Sequence, residues 1–229
     1  MNNKDRYAML PLRQRKFAQT KLGLLHAATA EMSRTPFDLI RVKDLCRKIG
    51  ISDASFFNYF EKKNDLIAYF IYVWALEMGW HAERLAARQG GLAAVEKIFS
   101  LTAQKAREQP GLLEEIIAQQ ARIHERATVT KITLAERLLA FPDLDGIDGI
   151  SASGLHELLP PLLERAIAKG ELPRTIDRKT AMIAIASVFF GTPVTLRSAG
   201  QAELEARYRK QLQIIWKGLR GRPNGTHHG

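Results

Sequence analysis

A chain of 229 residues that is 46% apolar and 25% charged has the composition of an ordinary globular protein, which argues against disorder. Its one cysteine, Cys46, excludes an intramolecular disulfide, fits a reducing compartment, and reads as a small buried hydrophobe on a helix. The net charge of +10 is uneven: residues 1–65 hold 13 Lys and Arg against 7 Asp and Glu, and the other 164 residues hold 21 against 17. That asymmetry points to an acidic polymer as partner, nucleic acid before membrane surface.

In chain order, MNNKDRYAMLPLRQRKFAQTKLG has basic residues but no unbroken apolar stretch, unlike a secretory signal. Phe17, Leu24, Leu25, Ala28 and Met32 then form one stripe of a long first helix, stopped at Thr35-Pro36. Val42, Leu45, Cys46 and Ile49 follow at helical spacing in a short second helix, with Gly50 placed for a left-handed cap. Ser52 offers an N-cap to a third short helix reaching about Phe60. Long helices are predicted over 61–89, 92–108 and 111–140, the last in one piece or in two divided near Thr128. FPDLDGIDGISASG, 141–154, is a loop, and helices follow over 155–169, 177–197 and 201–219. The tail from 221 to 229 has no packing residues. Nowhere is there a sustained period-two pattern, so the fold class is all-α with about nine helices.

The uncharged run 180–196 is near the lower limit of a membrane span, but it contains Gly191, Thr192, Pro193 and Thr195. It reads instead as a helix buried in a core or subunit interface. Catalytic signatures are weak. GISASG, 149–154, misses the G-x-S-x-G elbow by one place and has no preceding strand. His81, His124 and His156 never form H-E-x-x-H, and Ile147 interrupts the calcium-loop spacing of Asp143, Asp145 and Asp148. No catalytic residue, metal site or cofactor is assigned.

The densest chemistry lies in ISDASFFNYFEKKNDL, 51–66, where four aromatics occupy five positions and a lysine pair follows. Two short helices joined at a glycine are a helix-turn-helix arrangement, whose second helix enters the DNA major groove. At 100° per residue Phe56 and Phe60 share a face and can bury, while Ala54, Ser55 and Asn58 face the opposite way. Phe57 and Tyr59 fall on the flanks, along the sugar-phosphate walls. Lys63 opens the following helix and Lys43 the second, both expected at phosphates, with Arg13, Arg15 and Lys16 ahead of the first helix. Each residue has a plainer alternative: Asn58 a solvated polar group, Asp53 a favourable charge on the helix dipole, the lysines surface decoration. Their order and spacing together favour DNA binding.

DLCRKIGISDASFFNYFEKKNDLI resembles the DNA-binding signature of the tetracycline-repressor (TetR) family of bacterial regulators. Leu45 and Cys46 fit its core positions, Gly50-Ile51 its turn, Ser55 to Phe60 its aromatic run, and Lys63, Asp65 and Leu66 the opening of its fourth helix. Phe57 stands where the family usually has a phosphate-bonding tyrosine, Cys46 replaces an alanine, and Asp53 occupies a position that often reads a base. The resemblance implies a DNA-binding domain over 1–68 and a ligand-binding and dimerisation domain over 69–220. It implies a cytoplasmic regulator, most simply a repressor, that binds a palindromic operator as a homodimer and is released by a small molecule. The dimer is expected to form through Phe189, Phe190, Tyr208, Leu212, Ile215 and Leu219 on the last two helices. Trp74, Met78, His81, Phe99, Gln120 and His124 are the candidate lining of a pocket for an apolar or aromatic inducer. A different class of reading is a basic helical protein that docks to a membrane surface or a protein partner without reading DNA sequence.

Overall fold

The computed structural model describes residues 1–109, 111–122, 132–151, 153–196 and 203–221, with side chains 119, 120 and 122 left out. Within them the protein is helical throughout. The helices are α1 (Asn3–Ala8), α2 (Leu12–Met32), α3 (Val42–Ile49), α4 (Asp53–Phe56), α5 (Asp65–Gln89) and α6 (Gly91–Glu108), then α7 (Leu112–Arg122), α8 (Leu134–Ala140), α9 (Leu155–Ala168), α10 (Arg178–Thr195) and α11 (Leu204–Arg220). Single 3-10 turns stand at Phe37–Leu39 and Ile147–Gly149. Eleven helices appear among the described residues where about nine were expected. One addition is α1, which Asn2 starts by accepting from the Asp5 N–H. No described helix is long and apolar enough to cross a membrane.

Two compact units result, one of 1–80 and 108–154, the other of 81–107 and the residues from 155 on. The expected boundary at residue 68 thus falls inside α5, and the first unit takes in α7, α8 and the 141–150 segment as well as the N-terminal helices.

The core of the first unit forms around α2, which buries Leu22, Leu24, Leu25, Ala28 and Met32 as its stripe requires. Phe17, at the head of that stripe, stays 37% exposed. Polar groups also lie within this core. Lys21 and Glu136 are both buried, with the ammonium 3.1 Å from Oε1. The Tyr69 hydroxyl donates to the same oxygen at 2.7 Å, and burial pushes that phenol well above its ordinary pKa. Glu136 Oε2 accepts from the Thr133 N–H and hydroxyl, which closes a capping box at the start of α8. The carboxylate therefore satisfies a helix terminus and a buried cation together.

The segment between α8 and α9 is held from several sides. Asn3 donates to the carbonyls of Phe141 and Leu144, Arg6 pairs with Asp148 at 2.7 Å, and Lys4 pairs with Asp143 at 3.1 Å. Trp80 donates to the Asp145 carbonyl, and Arg137 to those of Ile147, Asp148 and Ile150. Two of the acidic residues whose spacing fails for calcium, Asp143 and Asp148, thus anchor the N-terminal helix.

In the second unit the Gly90-Gly91 pair breaks the chain between α5 and α6 for a steric reason. Gly90 has φ +104°, and a Cβ on Gly91 would stand 2.0 Å from the Leu162 carbonyl oxygen of α9. The Glu171 carboxylate caps α6 by accepting from the Gly91 N–H at 2.7 Å. Phe99, Phe189 and Tyr208 meet edge-to-face or stacked, with ring centroids 4.8 to 6.2 Å apart.

Candidate nucleic-acid interface

The recognition motif begins with α3, which buries Leu45 and Cys46 completely. Burial also pushes the Cys46 thiol upward, away from the thiolate. Gly50 ends the helix at φ +72°, and the Ile51 N–H returns to the Cys46 carbonyl at 3.0 Å. Ser52 then caps α4: its hydroxyl accepts from the Ser55 N–H and lies 2.8 Å from the Ser55 hydroxyl.

Helix α4 is one turn, shorter than the expected run to Phe60, and residues 57–59 continue it as hydrogen-bonded turns. The aromatics divide as their angular positions predict. Phe56 and Phe60 are buried with ring centroids 5.5 Å apart, and Phe60 packs in turn on Tyr69. Phe57 is 59% exposed and meets Phe56 edge-on, while Tyr59 is half-buried against Phe17 at 4.9 Å. Asp53, Ala54 and Asn58 are exposed and Ser55 is half-buried, so one side of the turn carries small and polar groups. Such a surface can approach base edges closely.

The surrounding cations are arranged differently from expectation. Lys43, at the start of α3, is exposed. Arg41 and Arg47 flank Asp44 at 2.7 and 3.4 Å, and the hydrogen bond from Arg41 holds that carboxyl below its usual pKa. Arg13, Arg15 and Lys16 lie inside the first turns of α2 rather than ahead of it, because Pro11 starts the helix earlier than the apolar stripe implied. Arg15 is half-buried and donates to the Leu10 carbonyl. Lys63, expected at a phosphate, is engaged within its own domain. Its ammonium donates to the carbonyls of Phe37, Asp38 and Ile40 at 2.9, 3.1 and 3.1 Å and sits 4.8 Å above the Phe37 ring. Three N–H groups meet three acceptors, so the side chain turns back into its own domain.

Residues 24–70 match the family profile described as bacterial regulatory proteins, tetR family. The matched segment contains the α3–α4 helix-turn-helix motif. A comparison with curated proteins returns no match. Among solved structures, the chain resembles the tetR-family repressor FadR of Thermus thermophilus, solved with lauroyl-CoA, at 17% identity over 91% of this chain and 100% of that one, TM-score 0.58. FadR of Bacillus halodurans, a fatty acid degradation regulator, is 17% identical over 86% of this chain and 98% of that one, TM-score 0.57. A structure solved in work on hormone control of bacterial antibiotic production is 19% identical over 89% and 98%, TM-score 0.60. At these identities the likeness concerns the fold. It extends the tetR-type architecture beyond the matched segment to most of the chain.

The residues expected to line an inducer pocket are distributed over both units. Trp74 and Met78 are buried on α5 in the first, and His81 and Phe99 belong to the second. Phe99 lines a cavity of ≈ 220 Å³ there together with Leu85, Ser100, Tyr208 and Leu212. The side chain of Gln120 and the whole of His124 lie outside the described residues.

The stripe expected to form the dimer is in part covered within the chain. Phe189, Tyr208 and Leu212 are 4%, 1% and 1% exposed within the single chain, where Tyr208 of α11 packs on Phe189 of α10 and on Phe99 of α6. Ile215 and Leu219 are half-buried. Of the expected set, Phe190 alone is openly exposed, and it continues a row with Ile183 and Val194 along α10. Sequence spacing identified α11's apolar face but not what covers it; the signal for the outward row was the second set of apolar residues within the uncharged run.

Proposed function

We propose that this protein is a ligand-responsive transcriptional repressor of the cytoplasm that binds a palindromic operator as a homodimer. The observation that carries the reading is the division of α4 and its following turn. Phe56 and Phe60 anchor it in the core, and Asp53, Ala54, Ser55, Phe57, Asn58 and Tyr59 remain at or near the surface for DNA. One turn of helix grips few bases, and a two-fold dimer doubles the contact at half-sites about one DNA turn, roughly 34–36 Å, apart. The exposed row Ile183, Phe190 and Val194 supports association, since α10 presents apolar surface that its own chain leaves open.

Release by a small molecule is supported by a structural neighbour solved in complex with lauroyl-CoA, a ligand with an apolar acyl chain. Trp74, Met78, His81, Phe99, Gln120 and His124 remain the proposed lining. The ligand must prefer a conformation in which the reading helices no longer match the half-sites. The test is to select DNA from a random duplex pool with the purified protein and determine its mass when bound and free. Enrichment of an inverted repeat bound by two chains supports the reading. Enrichment of nothing, or of a non-palindromic site held by a monomer, overturns it. A compound screen scored by loss of that complex then tests induction.

A further inference from the structure

We propose that Lys63 and Glu115 are positioning residues for the DNA-reading motif, gripping from two sides the connector that leads into it. The connector is the 37–40 stretch between α2 and α3. It has little structure of its own: one 3-10 turn, closed by the Leu39 and Ile40 N–H groups on the carbonyls of Pro36 and Phe37. Helix α3 has no side-chain cap, because Arg41 occupies the N-cap position without supplying one. What orients its start must therefore come from elsewhere.

Two side chains supply that. Lys63, just ahead of α5, gathers the carbonyls of Phe37, Asp38 and Ile40 onto one ammonium above the Phe37 ring. Glu115 of α7 accepts from the Phe37 N–H at 3.0 Å. Phe37 is fully buried, so the grip closes on an anchored residue. Both contacts are charge-assisted. Residues 50–52 alone join α3 to α4, so the two helices move together in the proposal. The inference rests on DNA binding by this domain and not on the response to a ligand.

The experiment measures affinity against salt concentration for duplex selected by the wild-type protein and for random duplex, by fluorescence anisotropy, with melting temperature recorded alongside. Lys63→Met keeps the aliphatic stem and removes the ammonium. Affinity for the selected duplex should fall about tenfold, the loss expected for charge-assisted hydrogen bonds, with random-duplex affinity and the salt slope unchanged. A slope lower by about one, with both duplexes weakened alike, would identify a phosphate contact and overturn the proposal. So would unchanged binding. Glu115→Met provides an independent check, should Lys63→Met fail to fold, because it acts from α7 at the far end of the connector. It should reduce selected-duplex affinity several-fold with the slope unchanged, and Glu115→Gln, which keeps an acceptor oxygen, should restore it. Equal affinities for Glu115→Met and wild type would remove α7 from the mechanism. Wild-type binding in the same series tests the DNA-binding reading separately.

Discussion

Helix α2 in the first unit buries a lysine, whereas α11 in the second buries Leu204, Tyr208, Leu212 and Trp216 and no charged side chain. Lys21 lies 5.8, 5.6 and 4.4 Å from the ring centroids of Phe17, Phe60 and Tyr69 and pairs with the wholly buried Glu136. Around α11 the polar contacts are uncharged or lie at the margin: the buried Tyr208 hydroxyl donates to the Phe189 carbonyl at 2.7 Å, and Trp216 to the part-buried Glu96 at 2.9 Å. Desolvating an ion pair costs most of what its attraction returns, so Lys21 and Glu136 add little net stability, but they are satisfied in only one geometry. Apolar packing stabilises more and tolerates repacking. The unit with the DNA-facing motif therefore uses polar groups to fix orientation, and the unit with the open apolar row relies on packing.

Breaking the pair should give the largest effect. Lys21→Met alone, or Glu136→Leu alone, should destabilise the protein by about 3–5 kcal/mol by stranding a buried charge. Lys21→Met with Glu136→Leu should recover most of that in urea unfolding, since no charge is then left unpaired. Equal losses for the single and double changes would mean that the two residues act independently.

Apolar volume should matter less in the second unit. Phe99→Leu keeps a large apolar group between Phe189 and Tyr208, and is expected to cost about 1 kcal/mol in the same assay. Tyr208→Phe removes one buried hydroxyl and should cost a similar ~1 kcal/mol through the Phe189 carbonyl left unpaired. A loss from Phe99→Leu as large as that from Lys21→Met would erase the distinction between the units.

At the surface of the first unit, stability and function should separate. Asn58→Ala should leave unfolding unchanged within ~0.5 kcal/mol and weaken binding to particular half-site sequences by about 1 kcal/mol or more, read by anisotropy on base-substituted duplexes. Phe57→Tyr adds a hydroxyl to an exposed ring and should tighten binding by ~1 kcal/mol if it gains a phosphate. Weaker binding would assign Phe57 to packing.

The smallest effect concerns α1. Arg6 donates to Asp148 and holds its carboxyl below the usual value. A depressed folded pKa contributes stability above the unfolded value of about 3.9, and that contribution disappears as pH falls through the folded value. The protection factors of the α1 amides, taken against the intrinsic exchange rate at the same pH, should therefore fall below about pH 4 and, at neutral pH, on Arg6→Ala. The pair is partly exposed and screened by salt, so its contribution should be small.

Local rules determined the helices, the Gly50 turn, the Ser52 cap and the burial of Phe56 and Phe60, because periodicity, capping chemistry and angular position are properties of a few consecutive residues. They also made the tetR-type motif legible, since its residues lie within one short segment. Partnership was decided by tertiary structure. Lys63 and Lys21 are basic residues like any other in sequence, and only the folded chain brings three carbonyls to one and Glu136 to the other. The α11 stripe looked available for a second chain because periodicity shows that a face is apolar without showing what covers it, and α6 and α10 supply the cover from about 19 to 110 residues away along the chain. Contacts between residues so distant in sequence leave no local pattern.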